Sequence, residues 1–200
     1  FIFFKFADHG HLYTTNCPRA QGIQMKITSV TANVLRLPEV TDICEGTQDT
    51  CLIRVETDEN VVGWGEVDSC PTVVKSVIEA PLSHQICNGL ANSLHGADPL
   101  AIEACMERMD AAANYYGRVG VGAHAMAGVN QALWDIAGKV HDAPIHRLLG
   151  GPFNTKFRAY CSILFGDSPA QTYELARKHA DLGFTAIKFG WGPMGQSEEN

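Results

Sequence analysis

The residue best suited to chemistry in this sequence is a lysine near the carboxyl end of a predicted strand. Lys188 lies in an apolar stretch, residues 184–189, where strand alternation puts it on the same face as Phe184 and Ala186. A lysine amine among apolar neighbours loses hydration, which favours its neutral form and lets it act as a base. Because ligands bind at the carboxyl ends of strands in parallel α/β folds, we predict that Lys188 is a catalytic base. The alternative is a lysine that ends a strand with its amine in water.

A serine hydroxyl is expected beside this lysine. Ser162 ends the preceding predicted strand, residues 157–163, so that it would face the same rim of the sheet as Lys188. A hydroxyl there could hydrogen-bond a substrate oxygen, whereas a nucleophilic role is not indicated because the G-x-S-x-G pattern is missing. The alternative is an ordinary surface hydroxyl. The glycine-rich run at 190–195 is not followed by a helical pattern, so we interpret it as a strand-to-loop turn.

The elements that would position these two side chains form a strand–helix–strand unit. Between the two predicted strands, Ser168 and Gln171 form a capping box at the start of a helix, and Gly183 is suited to the left-handed residue at its end. Such a unit opens a parallel α/β fold. Two strands and one helix cannot cover both faces of a sheet or close a barrel, which takes about 250 residues. We therefore expect a barrel that is truncated in this sequence.

The residues before this unit follow a different pattern. Residues 25–37, 51–57 and 61–68 predict three antiparallel strands, and the turn residues at 58–60 predict a hairpin between the second and the third. The chain before Met25 shows neither periodicity nor a signal-peptide pattern, so we interpret residues 1–24 as a leader or a disordered tail. Three helices are predicted after the strands, one that starts at Pro71, one that is capped by Asp98, and one over residues 123–140.

The composition excludes several classes of protein. Acidic residues outnumber basic ones by 22 to 15, which gives a formal net charge of −7 and argues against a nucleic-acid partner. No apolar run approaches the roughly 18 residues of a membrane-spanning helix. Seven cysteines without a C-x-x-C pair are typical of free thiols in a reducing compartment, so we expect a cytoplasmic protein.

A helical segment and the turn after it resemble a known signature. The order of residues resembles the mandelate racemase / muconate lactonising enzyme group of the enolase superfamily, although Asn130 stands where an acidic residue or Gln is usual. The resemblance covers residues 25–200, and it implies an α+β capping domain at 25–151, followed by the start of a TIM-like (β/α) barrel at 152–200, truncated after its second strand. The segments that carry it are Ala125 to Lys139, Pro144-Ile145, Leu148-Leu149-Gly150-Gly151 and the strand with Gly63-Trp64-Gly65-Glu66.

This resemblance also implies a chemistry. Family members remove the proton next to a substrate carboxylate and stabilise the enediolate on one Mg²⁺, whose three carboxylate ligands would lie beyond Asn200, so we assign no metal ligand in this chain. The family's Lys-x-Lys strand aligns with Ala186-Ile187-Lys188, which puts Lys188 at the base position; the other register puts Gly190 there. The missing first lysine argues against a racemase. Sugar-acid dehydratases vary more at this strand.

The resemblance further implies substrate contacts on several loops. Ser162 matches a position that hydrogen-bonds substrate, and Glu45 and Ser69 lie on two capping-domain loops that close over it. We expect the full-length protein to be a homo-oligomeric, Mg²⁺-dependent sugar-acid dehydratase with a small-molecule carboxylate substrate, and the 200-residue chain to be inactive alone. The alternatives are a racemase, epimerase or cycloisomerase of the same group, or a non-catalytic fragment that only folds or associates.

Overall fold

A three-stranded antiparallel sheet opens the structure, a computed structural model that describes residues 25–40, 48–117 and 119–190. The strands are β1 (Ile27–Arg36), β2 (Asp49–Thr57) and β3 (Val62–Val67), in the order β1-β2-β3. Each predicted strand end is confirmed to within two residues. The hairpin between β2 and β3 is confirmed as well, and Asn60 has the positive φ of 59° that its turn requires.

Five helices follow the sheet in the chain. The ends of the long helix, predicted at residues 123–140, are confirmed to within two residues. The N-cap predicted for the helix before it, Asp98, is wrong. Asp98 closes a turn by accepting from the N–H of Leu100 at 2.9 Å, and Ala101 is the N-cap residue instead. Two helices of four and five residues were not predicted because they are too short to show a period. The five are α1 (Pro71–Glu79), α2 (Leu90–Leu94), α3 (Ile102–Ala112), α4 (Val121–Val140) and α5 (Ile145–Leu148).

Helix α4 packs on the sheet with its backbone almost against β3. A Cβ atom at Gly65 would overlap the carbonyl oxygen of Gly128, and one at Gly63 would overlap that of Ala132. The two glycines of the Gly-Trp-Gly-Glu strand therefore allow the backbones of α4 and β3 to approach closely. The fully buried side chains between sheet and helices include Ile53, Val55, Val129, Leu133 and Ile136.

The outer edge of β3 is covered by polar side chains of α4. Asp135 accepts from the N–H of Trp64 at 2.8 Å, Gln131 accepts from that of Glu66 at 3.1 Å, and Lys139 donates to the carbonyl of Val62 at 2.7 Å. These three helix residues are four apart, about 6 Å along the axis, which matches the roughly 6.7 Å between alternate residues of a strand. The helix therefore satisfies a strand edge that would otherwise pair with another chain.

The opposite edge is covered in the same way by α1. Buried Ala32 on β1 donates its N–H to Glu79 at 2.9 Å and accepts from Lys75 at 2.6 Å, and these two helix residues form an ion pair of 2.6 Å. Burial raises the pKa of Glu79, but the hydrogen bonds from Lys75 and from the Ala32 N–H outweigh it, so that the pKa lies below its ordinary value. Helices thus cover both edges of the sheet. These contacts hold in place the strands from whose ends the loops emerge.

The last described residues form a parallel strand–helix–strand unit. Its elements are β4 (Cys161–Leu164), α6 (Pro169–Asp181) and β5 (Ile187–Gly190). Ser168 caps α6 by accepting from the N–H of Gln171 at 3.3 Å, but Gln171 returns its bond to Asp167 rather than to Ser168. The predicted left-handed residue is confirmed, since Gly183 has a φ of 95°. The first strand starts at Cys161 rather than at 157 because β5, its pairing partner, begins only at Ile187.

Candidate functional site

Ser162 and Lys188 are paired neighbours on the two parallel strands. Their Cα atoms are partners in the β4–β5 register, and both residues are exposed. The next pair along, Ile163 and Phe189, is partly buried on the opposite face, where Phe189 stacks on Phe165 with ring centroids 5.5 Å apart. In-register residues of parallel strands point to the same side of the sheet, so the serine hydroxyl and the lysine amine share one face.

The surroundings of Lys188 differ from those expected. The sequence predicts a lysine enclosed by apolar neighbours, whereas Lys188 is exposed. The physical reason is that two strands and one helix leave this face of the sheet without a covering layer. The arrangement therefore gives a base and a hydroxyl on one face, but within the described residues it does not give the dry site that proton abstraction requires.

A second group of polar side chains lies at the end of the antiparallel sheet. A cleft of about 410 Å³ is lined there by residues at the ends of all three strands, among them Arg36, Asp49, Glu66 and Asp68. Thr50 donates to Glu66 across β2 and β3 at 2.8 Å. Residues 41–47 connect two of the strands that form the cleft, and the predicted substrate contact Glu45 among them lies outside the described residues.

Ser69, the other predicted capping-domain contact, follows directly on this cleft. It is half-buried, and its Oγ lies 2.6 Å from Nδ1 of His124 in the first turn of α4. Sequence reasoning missed this histidine as a functional candidate. The available signal was only that His124 lies off the apolar stripe of its helix, and a stripe cannot identify a contact 55 residues away in the chain.

No metal site is formed by the parts of the chain that the structure describes. Within residues 25–40, 48–117 and 119–190, no three His, Cys, Asp or Glu side chains are grouped so that they could hold a metal ion. The described residues therefore offer no ligand set for Mg²⁺, whose three carboxylate ligands the sequence resemblance implies beyond Asn200. In the same ranges, no helix has both the length and the apolar character that crossing a bilayer requires.

The comparisons with known proteins agree on one family. The family model for the mandelate racemase / muconate lactonizing enzyme N-terminal domain matches residues 14–150. A protein from Verminephrobacter eiseniae named D-galactonate dehydratase is 38% identical over 138 residues, which are 68% of this chain and 33% of that protein. The chain thus spans one third of the length of this relative.

Solved structures give the same result. The crystal structure of a Rhodobacter sphaeroides protein, described as a predicted mandelate racemase, has a TM-score of 0.75 and 35% identity, covering 86% of this chain and 44% of that one. A mandelate racemase/muconate lactonizing protein from Paracoccus denitrificans, complexed with magnesium, has a TM-score of 0.65 and 25% identity over 84% of this chain and 42% of that one. The chain belongs to the mandelate racemase / muconate lactonizing enzyme group of the enolase superfamily, and its antiparallel sheet with the helices on it is the capping domain of that group.

Proposed function

We propose that the chain is the N-terminal part of a Mg²⁺-dependent sugar-acid dehydratase in which Lys188 is the base. The observation that carries the proposal is the pairing of Ser162 with Lys188 on one face of parallel strands, a base next to a hydroxyl that can hold a substrate oxygen. Membership of the family and the similarity to a protein named D-galactonate dehydratase support the substrate class. Mg²⁺ is included because a related structure is complexed with magnesium, and its ligands are expected beyond Asn200.

The proposed reaction removes water from a polyhydroxy acid. The neutral amine of Lys188 takes the proton from the carbon next to the carboxylate and becomes an ammonium group. The electron pair left on that carbon forms a double bond as the neighbouring hydroxyl takes a proton from a general acid, expected beyond Asn200, and leaves as water. The resulting enol then tautomerises to a 2-oxo-3-deoxy acid. Ser162 donates a hydrogen bond to a substrate oxygen and so keeps the acidic C–H in front of the amine.

The test uses the full-length protein that contains this chain. With Mg²⁺ and a panel of sugar acids, we expect one or a few acids to form a 2-oxo-3-deoxy product, and to exchange their α-proton in D₂O. Lys188→Met should lower kcat by about 10²–10⁴, the range typical of a lost general base. Lys188→Arg should be equally impaired, because guanidinium keeps the charge but cannot take a proton. Lys178→Met on the exposed side of α6 is the matched control and should be unchanged.

Other outcomes decide between the alternatives. Inversion of the α-carbon without loss of water would show that the protein is a racemase or epimerase and not a dehydratase. A protein that neither exchanges nor dehydrates any acid, with its metal bound, would contradict the proposed chemistry. The 200-residue chain alone should show no exchange, because the face of Lys188 is open to water; exchange by this chain would contradict our expectation that it is inactive and exclude the non-catalytic reading.

A further inference from the structure

The contact between Ser69 and His124 joins two segments that are far apart in the chain. Ser69 lies between the end of β3 and the start of α1, whereas His124 lies in the first turn of α4. The 2.6 Å separation of Oγ and Nδ1 is a short hydrogen bond between a hydroxyl and a ring nitrogen. Both residues reach the surface, since Ser69 is half-buried and His124 is exposed.

The backbone around Ser69 is already fixed by other contacts. Cys70 has a left-handed conformation with a φ of 42°, and its carbonyl accepts from Val73 and Val74 at 2.8 and 3.0 Å at the start of α1. On the other side of Ser69, Asp68 lines the cleft at the end of the sheet. With the backbone held, the remaining freedom of Ser69 is in its side chain, and the partner that the structure gives this side chain is His124.

The hydrogen bond to the ring nitrogen gives the serine hydroxyl a defined polarity. Serine has one proton and two lone pairs, and its hydroxyl rotates to suit its partner. If Nδ1 accepts, the proton of Ser69 is used and its lone pairs are left for a ligand; if Nδ1 donates, the proton is left instead. Either tautomer of His124 therefore stops the rotation and leaves one kind of hydrogen bond available next to the cleft.

We propose that His124 is a positioning residue that fixes the hydroxyl of Ser69 toward a hydroxyl group of the sugar-acid substrate. This inference rests on the proposed function, and it adds a residue that the sequence analysis did not assign. Ser69 lies in the capping domain and Lys188 in the parallel unit, so we expect Ser69 to contact a part of the substrate other than the reacting carbon. An interaction made equally in the ground state and the transition state changes KM and leaves kcat unchanged.

The test compares variants of the full-length protein with the sugar acid that it turns over. His124→Leu and Ser69→Ala should each raise KM about three- to tenfold, the range of one neutral hydrogen bond, with kcat changed less than twofold. The double variant should be no worse than either single one, since both remove the same contact. His124→Asn should recover most of the affinity because its amide group takes the position of Nδ1. His141→Leu, the same substitution at the other end of α4, should leave KM unchanged.

The outcomes separate this inference from the proposed function. A wild-type protein that turns over no sugar acid contradicts the proposed function. Turnover with an unchanged KM in His124→Leu, or additive effects in the double variant, overturns the positioning role alone. A readout without activity is the ¹⁵N chemical shift of the His124 Nδ1, which should move in Ser69→Ala; a shift that stays the same would show that the hydrogen bond is absent in solution.

Discussion

The capping domain and the parallel unit that follows it differ most in what they bury. Within the described residues, every buried residue lies between Met25 and Ala137, and none lies in β4, α6 or β5. The capping domain also has both edges of its sheet covered by helix side chains. In the parallel unit the aromatic residues that should form a core remain at the surface, with Phe157 81% and Tyr173 62% exposed.

The difference shows that the two groups of candidate residues have different structural support. Ser69 and His124 lie on a unit that carries its own buried core, which supports the geometry of their contact. Ser162 and Lys188 lie on the exposed face of a two-stranded sheet, and parallel strands need layers on both sides. We therefore expect their environment to be completed by other parts of the full-length protein, whereas the contact between Ser69 and His124 is formed within the described residues.

The largest expected effect is in hydrogen exchange of the 200-residue chain. Amides of β2 and α4 open only with the whole capping domain, so they should be protected on the order of a thousandfold or more, given a typical stability of about 5 kcal/mol or above. Amides of β4 and β5 should exchange within about tenfold of an unfolded peptide. Mass spectrometry of peptic peptides measures both. Equal protection of the capping domain and the parallel unit would contradict the conclusion that they differ in what they bury.

Glycine substitutions should give the next largest difference. Gly65→Ala forces a methyl group into the carbonyl of Gly128, and the overpacking should lower the free energy of unfolding by about 3 kcal/mol or more. Gly190→Ala is the matched control in β5, where nothing lies within 4 Å of the added Cβ. Its effect should be below about 0.5 kcal/mol. Urea denaturation followed by circular dichroism measures both variants, and a small effect at Gly65 would mean that α4 can move away from β3.

The sequence predicted the elements whose pattern is local. The three strands alternate, α4 has a long apolar stripe, and Gly183 and Asn60 are residue types that tolerate a positive φ, so all were confirmed. The cap of α3 was wrong because Asp98 satisfies the backbone of a turn just as well as that of a helix. Local patterns thus predicted the long elements, but they missed two short helices and one helix cap.

The candidate site was harder to predict because its contacts are long-range. Ser162 and Lys188 lie on two strands that are neighbours in the chain, and the sequence predicted that both residues face the same rim of the sheet. The hydrogen bond between Ser69 and His124 depends on how α4 lies along β3, which no pattern within either segment reports. The covered strand edges were missed for the same reason: the i,i+4 spacing of Asp135 and Lys139 indicates only a pair within the helix, and their bonds to β3 depend on tertiary packing.

A moderate effect is expected at the β1 edge. Glu79→Ala leaves the buried N–H of Ala32 without its acceptor, which should cost about 1–3 kcal/mol in the free energy of unfolding. The pH dependence follows from the lowered pKa of Glu79 in the folded state. Its contribution is fully present above the ordinary carboxyl pKa of about 4.3, and it is lost as the pH falls from there through the lowered folded value.

The sign of this pH dependence can be tested with a neutral analogue. Glu79→Gln still offers an oxygen to Ala32 but has no charge to lose. Its unfolding free energy should therefore fall less steeply than that of the wild type between roughly pH 5 and pH 3, where carboxylates titrate. Glu174→Gln is the matched change on α6, in the unit without a buried core. It should leave the pH dependence of the unfolding free energy as it is in the wild type. Identical slopes in wild type and Glu79→Gln would show that the ion pair does not stabilise the sheet edge.

The smallest effect should come from a cap that stabilises only its own helix. An N-cap serine is typically worth about 1 kcal/mol, and Ser168 makes the capping bond to Gln171 in α6. If α6 is not part of the cooperative capping domain, Ser168→Ala should change the main unfolding transition of the 200-residue chain by less than about 0.3 kcal/mol, while the amides of α6 exchange faster. A loss of the full cap energy in the main transition would mean that α6 unfolds together with the capping domain. The two units would then share their stability although they share no buried core, and Lys188 would be held in place already in this part of the protein.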